Sequence, residues 1–349
     1  TEKRTNFRAV TSTHLGEIMS KQVFKTALTE LVGIKHPIIS GGLHYVTYAG
    51  LAAAVSNAGG LGTITALTQP DPEALRQEIK KVQSLTPNPF AVNITLLPML
   101  APPDYGAFAQ VVVDEGVKVV ETAGHYKGLE PLIGLFKEND IKVIHKCTQV
   151  RHAKTAEKMG VDAISIDGFE AAGHPGEADI GLWVLLAKAQ KELKIPYIAT
   201  GGIGNGEQLA AALALGASGI NMGTRFMATK EAAIHDNIKN ALVEGDENST
   251  ALIMRSMKNT ERVFKNKAVQ ELMEIENANP GDFDKIKHLI SGKVYKEVFQ
   301  ETGDVDRGVW SAGVVMGLIN DVPSVEELVN RIVEDAKDTV DVRLKQLRV

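Results

Sequence analysis

From about residue 36 to residue 226 the chain alternates short apolar runs with longer amphipathic ones, and that rhythm constrains the fold more than any other feature. The apolar runs fall at 37–41, 61–66, 90–95, 117–123, 142–147, 163–168, 196–200 and 219–224. Each is too short for an ordinary helix and is predicted as a strand. Between them stand helical patterns such as PEALRQEIKKVQSL, HAKTAEKMG, LWVLLAKAQKEL and GEQLAAALALG. Strand and helix in turn imply a parallel sheet with crossover helices. Eight such units imply closure, so the predicted fold is α/β, a TIM (β/α)8 barrel. The 349 residues exceed the roughly 250 that a bare barrel takes.

The excess has a place. Residues 231–300 break the rhythm; they are charged, read as helical, and are interrupted by Asn279-Pro280-Gly281. They are predicted as a helical insertion or lid, with the barrel formed by 22–230 and 301–349. Residues 1–21 lack a regular apolar period and any h-region, so they read as an N-terminal tail rather than a secretory signal. Arg4 and Arg8 among hydroxyl residues keep an organellar transit remnant as the alternative. Near the other end, Ser324 and Glu327 have capping-box spacing. Val325, Leu328, Ile332 and Ala336 then form an apolar helical stripe, read as core.

Composition excludes several partners. A net charge of −5 argues against nucleic acid or an anionic membrane surface. No apolar run reaches the roughly 18 residues of a spanning helix. The single cysteine, Cys147, permits no internal disulfide and suits a reducing, cytoplasmic compartment. Small molecules are the expected partners, with the chain a monomer or homodimer.

In such barrels the chemistry sits where the strands end. Those ends carry Gly41-Gly42-Leu43-His44, Asn93 and Thr95, Glu121-Thr122, His145-Lys146-Cys147, and Asp167-Gly168 followed by FEAAGHPGE. Thr200-Gly201-Gly202 and Gly223-Thr224 follow the seventh and eighth strands, the usual place for a phosphate. Glycine lets backbone N–H groups approach an anion, although turn geometry alone also selects it. GIGNG (202–206) mimics a dinucleotide fingerprint but has Glu207 in place of the third glycine. Lys146 lies inside an apolar strand, where burial is costly without an anion nearby; the bland reading is a surface lysine. His174, between Gly173 and Pro175, suits proton transfer near neutral pH, or a local loop hydrogen bond. The histidines and the cysteine have no metal-motif spacing, so no metal is expected.

The set NITLLP (93–98), HKC (145–147), SIDGFEAAGHPGE (165–177), TGG (200–202), INMGTRF (220–226) and WSAG (310–313) resembles the nitronate monooxygenase (2-nitropropane dioxygenase-like) superfamily. Within it, IHKCT-VRHA and SIDGFE-AGHPGE look most like the bacterial FMN-dependent NADH:quinone reductase branch. The resemblance implies non-covalent FMN. Its ring would contact Gly42, Leu43 and His44, with Asn93, Thr95 and Lys146, and Gly173 beside it. Its phosphate would sit on Thr200, Gly201, Gly202, Gly223 and Thr224. His174 would be the active-site histidine, and a loop beginning at Pro98 would gate access. NAD(P)H would reduce the flavin at N5 and a quinone would then reoxidise it, in a ping-pong scheme. Oxidation of alkyl nitronates with O2 is the main alternative, and a flavin-type enoyl reductase acting on an acyl thioester is another. An IMP-dehydrogenase-like barrel needs a cysteine after the sixth strand, and 167–180 contain none. A non-catalytic binder of phosphate ligands leaves Lys146 and His174 without a role.

Overall fold

Eight parallel strands form at the apolar runs: β1 Ile38–Ser40, β2 Gly62–Thr65, β3 Phe90–Leu96, β4 Val119–Gly124, β5 Lys142–Cys147, β6 Ala163–Asp167, β7 Tyr197–Thr200 and β8 Ile220–Met222. The computed structural model describes residues 22–96, 102–124 and 126–348. The tail 1–21 and the proposed gate beginning at Pro98 lie outside them. Each strand pairs with its sequence neighbour, and β1 pairs with β8. The ring closes where Ile39 bridges Leu61, with Leu61 N donating to Ile38 O at 2.9 Å. The fold is a (β/α)8 barrel.

Register decides what fills it. Residues side by side in paired strands share a face, and faces alternate along each strand. Ile39, Leu61, Ala91, Val119, Ile144, Ala163 and Ile198 therefore point inward together and form one buried apolar floor. The helix Ala27–Val32 plugs it from below with Leu28 and Val32. That helix starts at a reciprocal Thr26–Thr29 capping box and stops at Gly33, whose φ is +72°. Two residues further up each strand, the inward positions become polar: Thr63, Asn93, Glu121, Lys146, Ser165, Thr200 and Asn221. The barrel is oily below and polar towards the carboxyl ends.

The helices lie outside with their apolar faces inward. In Pro72–Leu85, for instance, Leu75, Ile79 and Val82 are buried at helical spacing behind an Asp71 N-cap. The eighth helix comes late. Val325–Asp338 packs on both Gly206–Ala214 and Ala49–Asn57, the place of the helix that should follow β8. Its capping box and its buried stripe form as the spacing predicts. Gly206 makes the contact possible, since a Cβ there would run into Ile332 O.

The stretch between β8 and that helix is an insertion. It holds helices Asp236–Glu244, Lys267–Ala278 and Gly292–Glu297, as the charged pattern predicts. It also holds an antiparallel pair, β9 Thr250–Ile253 and β10 Glu261–Phe264, where the sequence reading expects helix. Both segments are four residues long, too short for a helix to compete with ladder pairing. Ile253, Val263, Val269, Leu272, Ile286 and Val309 give the insertion its own core. Phe264 stacks on the buried Trp310, with ring centres 4.3 Å apart, and so joins it to the barrel. Among the described residues no helix is long and apolar enough to cross a membrane.

Candidate active site

Glu121 stands at the centre of the polar layer. Its Oε1 accepts from Asn93 Nδ2 at 2.8 Å and from the Gly42 amide at 3.1 Å, while Oε2 accepts from Asn221 Nδ2 at 2.8 Å. One buried carboxylate thus fastens β3, β8 and the loop after β1 to β4. Thr95 Oγ1 donates to Asn93 Oδ1 at 3.0 Å, which orients that amide. Ser165 and Thr200 share a hydrogen bond across β6 and β7.

Lys146 enters the same layer from β5. Its Nζ is 4.0 Å from Glu121 Oε1 and 3.9 Å from Asp167 Oδ2. Those are charge contacts, too long for hydrogen bonds, and the ammonium donates to no described residue. Burial opposes its charge, yet Glu121 and Asp167 outweigh that and raise its pKa. Asp167 behaves oppositely: burial pushes it up to about 6, against the pull of Lys146. Asp167 Oδ1 is buried without a hydrogen-bond partner among the described residues. A cation with free donors beside an orphaned carboxylate oxygen is a site left incomplete by the protein's own groups.

The rim carries the glycine turns. Gly42 lies so close to Asn93 that any Cβ would overlap its side chain, and a Cβ on Gly41 would meet Asn221 Oδ1 at 2.6 Å. Leu43 N donates to Thr47 Oγ1 at 2.9 Å. His44 is exposed at the rim, and its ring lies tilted against that of Tyr45 with centres 4.0 Å apart. Leu43 reaches across to the turn after β8, where a Cβ on Gly223 would lie 3.0 Å from Leu43 Cδ2. Gly201 and Gly202 have φ of +93° and +72°, conformations that favour glycine. Gln208 staples this turn by donating to Gly202 O at 2.6 Å and accepting from Gly204 N at 2.8 Å. The amides of Gly201, Gly202 and Gly223 donate to no described group, so they are available to an anion. Thr224 Oγ1 accepts from Gly313 N at 3.0 Å and docks the WSAG segment beside them.

These contacts bring Gly42, Asn93, Thr95 and Lys146 together, and Leu43 with Gly223. His174 stands apart. It is exposed on the loop 168–181, next to Gly173 at φ +71°, and hydrogen-bonds to no described residue. Its neighbours in the HKC motif divide by alternation: Lys146 faces in, whereas His145 faces out, 2.9 Å from Thr122 Oγ1, with its pKa lowered to about 4 by burial. Burial likewise pushes the Cys147 thiol up. The sequence places Glu121 and Asp167 at strand ends without a motif that gives them a role, and Ser165 and Asn221 carry no signal of their own type. Their signal was positional: each shares the inward register of Asn93 or Lys146. A cleft of about 370 Å³ is lined by Gly201 and Gly202 together with Trp183, Leu186 and Leu318 among others.

Known proteins resemble this chain in sequence and in fold. The nitronate monooxygenase family model matches residues 25–335. A (3aS,4S,5R,7aS)-5-hydroxy-7a-methyl-1-oxo-octahydro-1H-indene-4-carboxyl-CoA dehydrogenase of Mycobacterium tuberculosis is 31% identical, over 89% of this chain and 96% of its own. A nitronate monooxygenase of Paraburkholderia phytofirmans is 28% identical over 93% and 98%. Among solved structures, FabK from Thermotoga maritima is 33% identical with a TM-score of 0.86, covering 93% of this chain and all of its own. A nitroalkane oxidase from Streptomyces ansochromogenes is 26% identical with a TM-score of 0.77, over 92% of this chain and all of its own.

Proposed function

The chain belongs to the nitronate monooxygenase family and is a flavin-dependent oxidoreductase, and from that premise we propose that it binds FMN at the carboxyl rim and passes electrons from NAD(P)H to a quinone. The observation that carries this reading is the pairing of unclaimed groups at one rim: free backbone amides at Gly201, Gly202 and Gly223, and a half-buried Lys146 whose donors find no hydrogen-bond partner among the described residues. They match a ligand with a phosphate at one end and an electron-rich ring at the other. FMN, when bound, supplies two-electron redox chemistry.

The protein's own groups would do the rest. The turn amides, with Thr200 and Thr224, would hold the phosphate. Gly42, Leu43 and His44 would present backbone to the ring, and Asn93 and Thr95 would hydrogen-bond its polar edge. Lys146 would hold positive charge where reduction adds negative charge. Gly173 would line the ring, and His174 would hydrogen-bond the acceptor or give it a proton. NAD(P)H and quinone would use one pocket in turn. A reducing cytoplasmic setting, which the lone buried Cys147 suits, goes with those substrates.

Two other oxidants or donors have specific support. The name of the Paraburkholderia relative favours an alkyl nitronate with O2, and that of the Mycobacterium relative favours a coenzyme A thioester. Anaerobic stopped-flow mixing separates them. Rapid bleaching of the flavin by NADH or NADPH, then recovery on adding a quinone, is expected. Bleaching only by a nitronate supports the monooxygenase, and recovery only with an unsaturated acyl thioester supports the thioester reading.

A further inference from the structure

β10 holds more than β9. On its other edge, Arg262 and Gly173 exchange main-chain hydrogen bonds, Gly173 N to Arg262 O at 3.0 Å and Arg262 N to Gly173 O at 2.6 Å. One turn of the pleat later, Phe264 N donates to Trp310 O at 2.9 Å. The side chains add to this. The Arg262 guanidinium donates to Phe169 O through Nε at 3.2 Å and Nη2 at 2.9 Å, and lies 5.0 Å from the centre of the Phe169 ring. Glu177 accepts from Thr260 N at 2.7 Å and from Thr260 Oγ1 at 2.6 Å. Arg255, in the turn between the strands, pairs with Asp179 at 2.6 Å. The ribbon is itself braced, because Glu276 accepts from Met254 N at 2.8 Å and Ser256 N at 3.0 Å.

Residues 169, 173, 177 and 179 of a single rim loop are therefore each tied to the ribbon, and His174 sits between two of the ties. We propose that the β9–β10 ribbon is a splint that sets the position of His174, with Arg262 and Glu177 as positioning residues. The inference rests on the reading of His174 given above. It assigns the helical insertion or lid that the sequence suggests a fixed, supporting role. Main-chain pairing and a buried arginine make a rigid tie, and a displacement of about 1 Å in a catalytic group can cost on the order of 100-fold in rate.

Two measurements on the full-length protein test it. Hydrogen exchange of the peptides spanning 169–179 should accelerate about tenfold in Arg262→Met, and in Glu177→Ala combined with Thr260→Val, as the local opening becomes easier. Unchanged exchange overturns the splint. The second is a double-mutant cycle on flavin reoxidation. Arg262→Met should slow reoxidation by the acceptor roughly tenfold in the native background and less than about twofold in His174→Ala, because the two changes act through one group. Equal losses in both backgrounds, or a parallel loss of flavin content, overturn it in favour of a general effect on the fold. Should His174→Ala reoxidise at the native rate, the reading of His174 fails, while the exchange experiment still decides whether the ribbon holds the loop.

Discussion

A single carboxylate organises the polar half of this barrel. Glu121 satisfies two amide side chains and one backbone N–H, and it shares the charge of Lys146 with Asp167. Removing it strands all of those donors in a buried layer. Glu121→Leu is expected to destabilise the flavin-free protein by about 3 kcal/mol or more in urea unfolding. Adding Lys146→Met to that variant should recover part of the loss, since the uncompensated cation goes with it. Lys146→Met alone should lower the reduction potential of bound flavin by on the order of 30 mV, equivalent to about 1.4 kcal/mol for two electrons; an unchanged potential would remove the role given to Lys146. What the sequence concealed here was direction. Glu121 and Asp167 look like ordinary strand ends until pairing with Asn93 and Thr200 turns them inward.

Elements were far more legible than residues. All eight barrel strands lie at the apolar runs, because a strand buried on both faces leaves a short continuous apolar signature. The last helix announced itself through Ser324, Glu327 and a four-residue stripe. Ser324→Ala should cost about 1 kcal/mol, by loss of the hydroxyl that caps Glu327 N. Gly206→Ala should cost more, about 2–3 kcal/mol, because the new methyl meets Ile332 O and pushes two packed helices apart; thermal unfolding of the two variants checks both. The β9–β10 ribbon escaped notice for a physical reason. Strands of four residues, half exposed and flanked by charged helices, present too few periodic positions to tell a period of two from one of 3.6.

At the scale of the whole molecule, buried titratable groups set the response to pH. His36 and His145 are each lowered to about 4, chiefly by burial. Unfolded, they take up protons as pH falls through their ordinary value of 6.5, so the stability they confer at neutral pH is lost on acidification towards 4. Asp167, raised to about 6, opposes them: it favours the fold at low pH, and that contribution is lost as pH rises through about 6. Two groups against one should make stability fall by up to about 1.4 kcal/mol per pH unit below pH 6. Asp167→Asn should steepen the fall, measured by urea midpoints across pH 4.5–7. The same molecular scale carries the central claim, that the carboxyl rim of this closed barrel grips a phosphorylated flavin. Titrating the flavin-free protein with FMN and with riboflavin, followed by flavin fluorescence, tests it most directly. One FMN should bind per chain, and riboflavin should bind more weakly by roughly 100-fold, about 2.7 kcal/mol, for want of the phosphate that Gly201, Gly202 and Gly223 would hold. Equal affinity for the two flavins, or no binding of either, would contradict it.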